Sequence, residues 1–588
     1  MKKLLLFILT LTIQTTATIR YVKAGNPTPL APYTSLATAA DSIWKALRIS
    51  VSGDTVFVGN GTYREQDTLP FGVSLIGAGA DSCVWDCSPT AQQTGYTLTI
   101  SDYNTVSGFT FKGYISFGYH GKAINGPDAD NSIIIGNKFI DLEKGVSILS
   151  PDIIDNHFEK IIEAIRLWFT FIPVGESNVI NNRFINCNTS IKANDYKTYI
   201  RNNYFYYDSD RTPTFIHDFG GGQPEIFNNF FVFNGQAGPT NIYQFISGHH
   251  SDLIRNNILI SKTDYTGGKF IFSLDPLKSI NNHFEGKLKG YWIWSNAVTS
   301  ELVIKNNNYW LLSAIYDFAY TNPYEHTQLQ KDPMFIDSTD FHLQKYSPLI
   351  DRGDSSVLDK DGTISDIGVY GGAFGESYVY IDKAPRAPSG LTVTLSADTV
   401  LLKWKKNTES DIRKYYIYTD STTGVTTDTT RYLTSSNDTL LKIPKSYFTW
   451  GSAYFRIAAV DSGYNKSQGS IAVGVVLTGM GEGEEIAAER YRLYQNYPNP
   501  YGGAGKEKTK ISYELKKRGY VKLRVYNVVG EELAVLVNGE QEAGYYEEEF
   551  GAPEIRKGLE DHILTSGIYI YKLEIRDSET GHPVFNES

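Results

Sequence analysis

A short phrase recurs through the first half of the chain: an apolar residue, a short gap, Asn-Asn or a close variant, one residue, then an aromatic. It limits what that half can fold into more than any other feature does. It reads IIIGNKF, IIDNHF, VINNRF, YIRNNYF, EIFNNFF, LIRNNIL, SINNHF and VIKNNNY, with the second Asn at 137, 156, 182, 203, 229, 257, 282 and 307. These eight positions span 170 residues in seven intervals, a mean of about 24. A unit that short cannot bury its own apolar face, but stacked units can, each touching only its neighbours. The repeat therefore predicts an all-β chain built on a parallel β-solenoid of about ten to eleven coils, with coils ~4.8 Å apart. Asn and Gly tolerate the left-handed backbone that tight turns need, and stacked Asn amides hydrogen-bond from coil to coil. Leu75-Ile76-Gly77 and Val106-Ser107-Gly108-Phe109 read as earlier turns with Gly in the Asn place. Two residues past each Asn an inward stack is expected: Phe139, Phe158, Phe184, Phe205, Phe231, Leu259, Phe284 and Tyr309. A leucine-rich horseshoe needs Leu at fixed places and helical return segments, and the repeat has neither.

At 588 residues the chain is too long for one ordinary core. Its 41 Tyr, 30 Phe and 52 Gly suit strands and turns. A net charge of -10 argues against a nucleic-acid partner. Met1-Lys2-Lys3, the apolar stretch Leu4 to Ile13 and then Thr15-Thr16-Ala17 read as a signal peptide over 1–17, too short to span a bilayer. The mature chain is thus expected outside the inner membrane, without a membrane span. The three cysteines, Cys83, Cys87 and Cys187, do not space like a zinc site. A Cys83–Cys87 disulfide and buried free thiols both stay open, and buried thiols fit better.

The segment GDTVFVGNGTYRE (53–65), the repeat itself, and DPMFIDSTDFHLQKYSPLIDRGD (332–354) followed by DIGVYGG (366–372) resemble the right-handed parallel β-helix proteins of pectate-lyase-like type. The resemblance covers roughly residues 20–375 and implies a capping helix over Ser35 to Leu47. Beyond the Pro-rich step Lys383 to Gly390, alternating strands over 384–477, with Trp404, Tyr416 and Tyr454 as core aromatics, resemble a fibronectin type III module. After the Gly/Glu hinge 478–489, residues 490–588 resemble the C-terminal sorting domain of type IX secretion substrates of the Bacteroidetes. That likeness rests on Tyr494 to Pro500, Val521 to Gly530 and Ser566 to Tyr571; this chain ends GHPVFNES where that family has a short basic strand. Two small β-sandwich domains are therefore expected after the solenoid. The resemblance implies secretion or surface display, with the outer-membrane secretion machinery as a partner.

Enzymes of the β-helix family act on polysaccharides in a groove along one face. Lyases there use Lys or Arg beside Ca2+ or carboxylates, and hydrolases use paired carboxylates. The hydrolase pattern is missing, with Tyr119-His120-Gly121-Lys122 only a faint echo, and the pectate-lyase Arg-x-Pro-x-x-Arg element is missing too. The periodicity still supplies a candidate column. Val146 and Ile148, Ile165 and Leu167, and Ile191 and Ala193 are read as inward, so Ser147, Arg166 and Lys192 face out. His217 continues the column across a longer loop. Trp168 and Asn194 flank it, and Phe272, Trp292 and Trp294 extend it in an unsettled phase. Such a face suits an acidic glycan. For β-elimination, Lys192 or His217 is read as the base and Arg166 as the clamp on the substrate carboxylate. His249-His250 with Asp252 is read as a solvated turn. Asp208, Asp210, Asp359 and Asp361 offer oxygen ligands that suit Ca2+, but no site is assigned to them. The leading reading is a polysaccharide-binding or polysaccharide-degrading protein, with lyase chemistry ahead of hydrolysis. A non-catalytic adhesin or display rod is the alternative.

Overall fold

The computed structural model describes residues 17–588 apart from 89–94, 114–120, 169–174, 194–196, 210–212, 219–223, 236–243, 249–252, 264–265, 275–276, 294–301, 317–326, 478–490, 495, 497–507, 542–543, 552–567, 579–580 and 588. The chain divides into two units, Met1–Pro333 with Ser347–Val379, and Met334–Tyr346 with Tyr380–Ser588. In the first unit each coil lays down one short strand in each of three parallel sheets. The first sheet has twelve strands, from Ile19–Val22 to Val303–Lys305. The second has eleven, from Gly61–Tyr63 to Asn308–Trp310, and the third eleven, from Asp67–Thr68 to Ala314–Tyr316. The eleven-stranded sheets match the expected coil number.

The Asn-Asn corner divides two tasks that the repeat suggested for one residue. The first member takes the left-handed backbone, with φ of 58° at Asn181, 56° at Asn202, 54° at Asn228 and 55° at Asn256. The second is buried and forms the ladder. Asn182 N–H donates to Asn203 Oδ1 at 2.8 Å, while Asn182 Nδ2 donates to Ile153 O at 2.8 Å and Ile180 O at 3.0 Å. The same bonding runs from Asn137 through Asn307. In the coil before Asn137, Gly108 fills the left-handed place at φ 77° and Phe109 stands in the ladder place.

Inside, the expected stack is present and extends one coil further. Phe111, Phe139, Phe158, Phe184, Phe205 and Phe231 follow one another with ring centroids 4.6–5.1 Å apart and near-parallel planes. That is the rise of one coil, so the parallel ladder itself sets the stacking.

One expectation is corrected and one open alternative is settled. The capping helix is Ile43–Leu47, not Ser35 to Leu47. Ala40 is drawn into a parallel bridge with Val22, which needs extended backbone, and Glu65 of the first coil caps the helix at Ile43 N and Trp44 N. Cys83 and Cys87 are buried free thiols. Both face inward along one extended segment, about 13 Å apart by strand rise, beyond the ~7 Å a disulfide tolerates.

The outward amides of the left-handed Asn residues hold the segment after the solenoid. Asn202 donates to Phe374 O, Asn228 to Val369 O and Gly371 O, Asn256 to Ser365 Oγ and Asp366 O, and Asn306 to Arg352 O and Gly353 O. With Asn281 Oδ1 accepting from Asp354 N–H at 2.7 Å, one edge of five coils is strapped by residues 352–374. Asn256→Ala is expected to loosen that strap by about 1–3 kcal/mol, read as faster amide exchange over 352–374. Unchanged exchange would show that the amides do not hold it.

In the second unit, residues 392–476 form antiparallel sheets of three and four strands around Trp404, whose ring meets Tyr415 edge-on at 5.4 Å. The core aromatics are Tyr415 and Phe455, not Tyr416 and Tyr454, which pack on the other face. A phase error of one residue exchanges the two faces of a strand. Residues 492–587 form a second pair of sheets, again of three and four strands, around Tyr513, Leu523 and Leu573.

Candidate polysaccharide-binding face

The strands of the third sheet do not alternate strictly. Glu163–Leu167, Thr189–Ala193, Thr214–Asp218, Lys269–Ser273 and Lys289–Ile293 all leave their first and fourth residues half-buried and bury the other three. The third residues, Ile165, Ile191, Ile216, Ile246 and Ile271, pair in register inside the solenoid. One in-register row runs Ser147, Arg166, Lys192, His217, Ser247, Phe272 and Trp292; Ser147, expected to face out, is buried, as is Ser247, and the other five are half-buried. The row runs along the solenoid axis with steps of ~4.8 Å. Its members from Arg166 to His217 sit at the expected places, and the unsettled phase of Phe272 and Trp292 resolves into the same row. Asn194, Trp294, His249, His250, Asp252, Asp210 and His120 lie outside the described residues.

At one end of the row the cation is built in. Arg166 meets Glu163 through two hydrogen bonds, Nε to Oε1 at 2.5 Å and Nη2 to Oε2 at 2.6 Å. Its guanidinium lies 5.4 Å from the Trp168 ring, and Trp168 Nε1 donates to Ser147 Oγ at 2.9 Å. Lys144 Nζ stands 3.7 Å from Glu163 Oε1. Burial works against the Glu163 anion, but Arg166, Lys144 and Lys192 together hold its carboxyl below its usual range. Burial also pushes the Tyr96 phenol up, with Ser147 and Arg166 pulling the other way. Reading Arg166 as the substrate clamp therefore needs correction: the Nε–Nη2 edge that grips a carboxylate best is engaged by Glu163.

At the other end Phe272 and Trp292 lie 4.5 Å apart, with Lys269 Nζ 4.2 Å above the Trp292 ring. Glu163, Lys144, Tyr96 and Lys269 were missed by sequence reasoning. A carboxylate three residues before Arg166 was the available signal, but strict alternation from Ile165 would have turned Glu163 inward.

Two of the aspartates considered for Ca2+ bond their own turns. Asp359 accepts from Asp366 N at 3.1 Å and Gly372 N at 2.5 Å, and Asp361 from Thr363 N at 3.0 Å and Oγ1 at 2.7 Å. Both serve turns within the strap. Asp208 is exposed at a turn, where its N–H donates to Asn186 Oδ1.

No protein-family model and no curated protein sequence matches the chain. Solved structures similar to it include an alginate lyase from Paenibacillus sp. str. FPU-7, at 15% identity over 43% of this chain and 92% of that one, TM-score 0.30. A PL6 alginate lyase in complex with a trisaccharide is 13% identical over 62% and 96%, TM-score 0.33. Pectate lyase Pel9A is 15% identical over 61% and 97%, TM-score 0.30. At such identities and scores the likeness lends nothing to the chemistry of this face.

Proposed function

We propose that the third-sheet face binds an acidic polysaccharide along the solenoid axis and cleaves it by β-elimination. The observation that carries this reading is the in-register row Arg166, Lys192, His217, bounded by aromatic rings at both ends. Arg166, Lys144 and Lys192 gather around the single carboxylate of Glu163, an excess of positive charge that favours anionic ligands locally on a chain of net charge -10. A step of ~4.8 Å along the row is comparable to the rise of a sugar in an extended polyuronate. In the elimination the C5 proton leaves, its electron pair forms the C4–C5 double bond, and the C4–O bond breaks, its pair staying on the departing oxygen, which takes a proton from water. Lys192, whose charge already acts on Glu163, neutralises the uronate carboxylate and so acidifies C5. His217, one coil on, takes the proton as a neutral imidazole.

Purified protein mixed with alginate, polygalacturonate or a neutral glycan is expected to release unsaturated products, read by ultraviolet absorbance, from a polyuronate alone. His217→Ala should lower that rate by about 10²–10⁴-fold. Tight binding without unsaturated product would favour the display protein, and no binding to any acidic glycan would overturn the reading.

We further infer that the chain is exported and that residues 490–588 carry the address. The closing pair of sheets around Tyr513 supports this reading, as the sheets of three and four strands around Trp404 support a fibronectin-like spacer. Deleting 490–588 in a type IX secreting host should leave the solenoid folded but retained in the cell. Equal release with and without the segment would refute the assignment.

A further inference from the structure

The second unit holds an unexplained carboxylate group. Asp382 precedes the first strand of the sandwich, Asp411 immediately precedes the strand Ile412–Asp420, and Asp461 ends the strand Ser452–Asp461. Oxygens of all three lie within 4.8 Å of one another. Like charges at that separation repel strongly wherever water is excluded, and water is largely excluded here: Asp461 is 0% and Asp411 8% exposed. Asp461 is held by Asn465, whose N–H and Nδ2 donate to its two oxygens at 2.7 and 3.1 Å. Asp411 Oδ1 is different, because it is buried and has no hydrogen-bond partner. A buried carboxylate oxygen left unbonded costs free energy unless something outside the chain satisfies it. The turn over the group is shaped to admit Asp382: a Cβ at Gly463 would sit 1.9 Å from Asp382 Oδ2.

We propose that Asp382, Asp411 and Asp461 bind one Ca2+ ion, which ties the segment ahead of the sandwich to two of its strand ends. Two oxygens on one Ca2+ at ~2.4 Å lie at most about 4.8 Å apart, so the three carboxylates can share an ion. Three anionic oxygens and no nitrogen or sulfur ligand suit a hard cation rather than zinc. Ca2+ accepts irregular oxygen geometry and completes its shell with water or carbonyls, whereas Mg2+ demands a near-ideal octahedron. The electrostatics agree. Burial first, then Asp461, with Asp382 and Glu409 behind it, push the Asp411 carboxyl up to about 6 against the pull of a hydrogen bond from the Asp411 backbone.

The test uses the full-length protein, stripped of metal by a chelator and titrated with CaCl2 alone at pH 7.5, with peptide-level hydrogen exchange as the readout. Peptides covering 380–384, 409–413 and 459–466 are expected to gain protection, with half-saturation on the order of 0.1–1 mM as in extracellular modules. Solenoid peptides should not respond. Asp411→Asn removes a repulsive charge and should fold without metal, yet lose the Ca2+ response by at least about tenfold. Asp461→Asn should do the same. Absence of protection up to about 20 mM Ca2+, or equal protection in Asp411→Asn, would overturn the proposal. In that event Asp411 is simply a buried carboxyl that protonates, and the metal-free sandwich gains stability as pH falls from about 6 towards its unfolded value of 3.8.

Discussion

Replacing Asn203 by alanine is expected to destabilise the solenoid by roughly 2–6 kcal/mol, at 1–3 kcal/mol for each buried backbone group left without a partner. Two groups are orphaned. Asn182 N–H loses the Oδ1 acceptor it meets at 2.8 Å, and Val179 C=O loses the Nδ2 donor at 2.8 Å. Water cannot substitute, because Asn182 and Asn203 are 1% and 2% exposed. Asn203→Asp fares no better, since it keeps an acceptor but buries a charge and still abandons Val179. Each coil contacts only its neighbours, so the damage should be local before it is global. Hydrogen exchange of 177–207 should accelerate well before that of the coils at 55–112. Exchange that stays uniform, or stability within about 0.5 kcal/mol of the parent, would mean that the ladder is decoration on a structure held by its apolar core.

The largest functional effect should come from Lys192→Ala, which is expected to lower turnover of a polyuronate by about 10²–10³-fold, the usual scale for removing one charge that stabilises a developing anion. Folding should hardly change, because Lys192 is an outward residue of a well-paired strand. Glu163→Gln separates positioning from charge. It keeps the side-chain shape but frees the Arg166 guanidinium from its anion, so KM should shift more than kcat if Glu163 only orients Arg166. The sign with pH follows from the depressed Glu163 carboxyl. Its ion pairs stabilise the fold above the unfolded value of 4.5 and are lost as pH falls through the lower folded value. A Glu163→Gln variant that loses kcat alone would reassign the roles.

Much of this face was legible beforehand, and for a physical reason. Coils of near-constant length stack in register, so the Asn positions fix the phase of every strand that follows, and Arg166, Lys192 and His217 could be placed in one row without coordinates. The Asn ladder and the Phe139 to Tyr309 stack were readable on the same ground. What was lost lies where periodicity fails. The third-sheet strands bury two adjacent residues, Ala164 and Ile165 in one coil, so alternation alone puts Glu163 on the wrong side. Tyr96 reaches the Arg166 site from another coil, a relation no linear spacing encodes. The carboxylates of Asp382, Asp411 and Asp461 are 29 and 50 residues apart in sequence and meet only through antiparallel pairing of the strands that end there. In the sandwich, one residue of phase exchanged Tyr415 for Tyr416, because an antiparallel strand has no ladder residue to mark its inner face.

The most direct measurement is the structure of the protein with a bound uronate hexasaccharide, using His217→Ala so that the ligand survives. The sugar chain should lie across the third sheet parallel to the solenoid axis. One carboxylate should sit against Lys192, and pyranose faces should stack on Trp168 at one end or on Phe272 and Trp292 at the other. A hexasaccharide bound to another sheet or to the second unit, or lying across the coils with no carboxylate near Lys192, would contradict the assignment of this face.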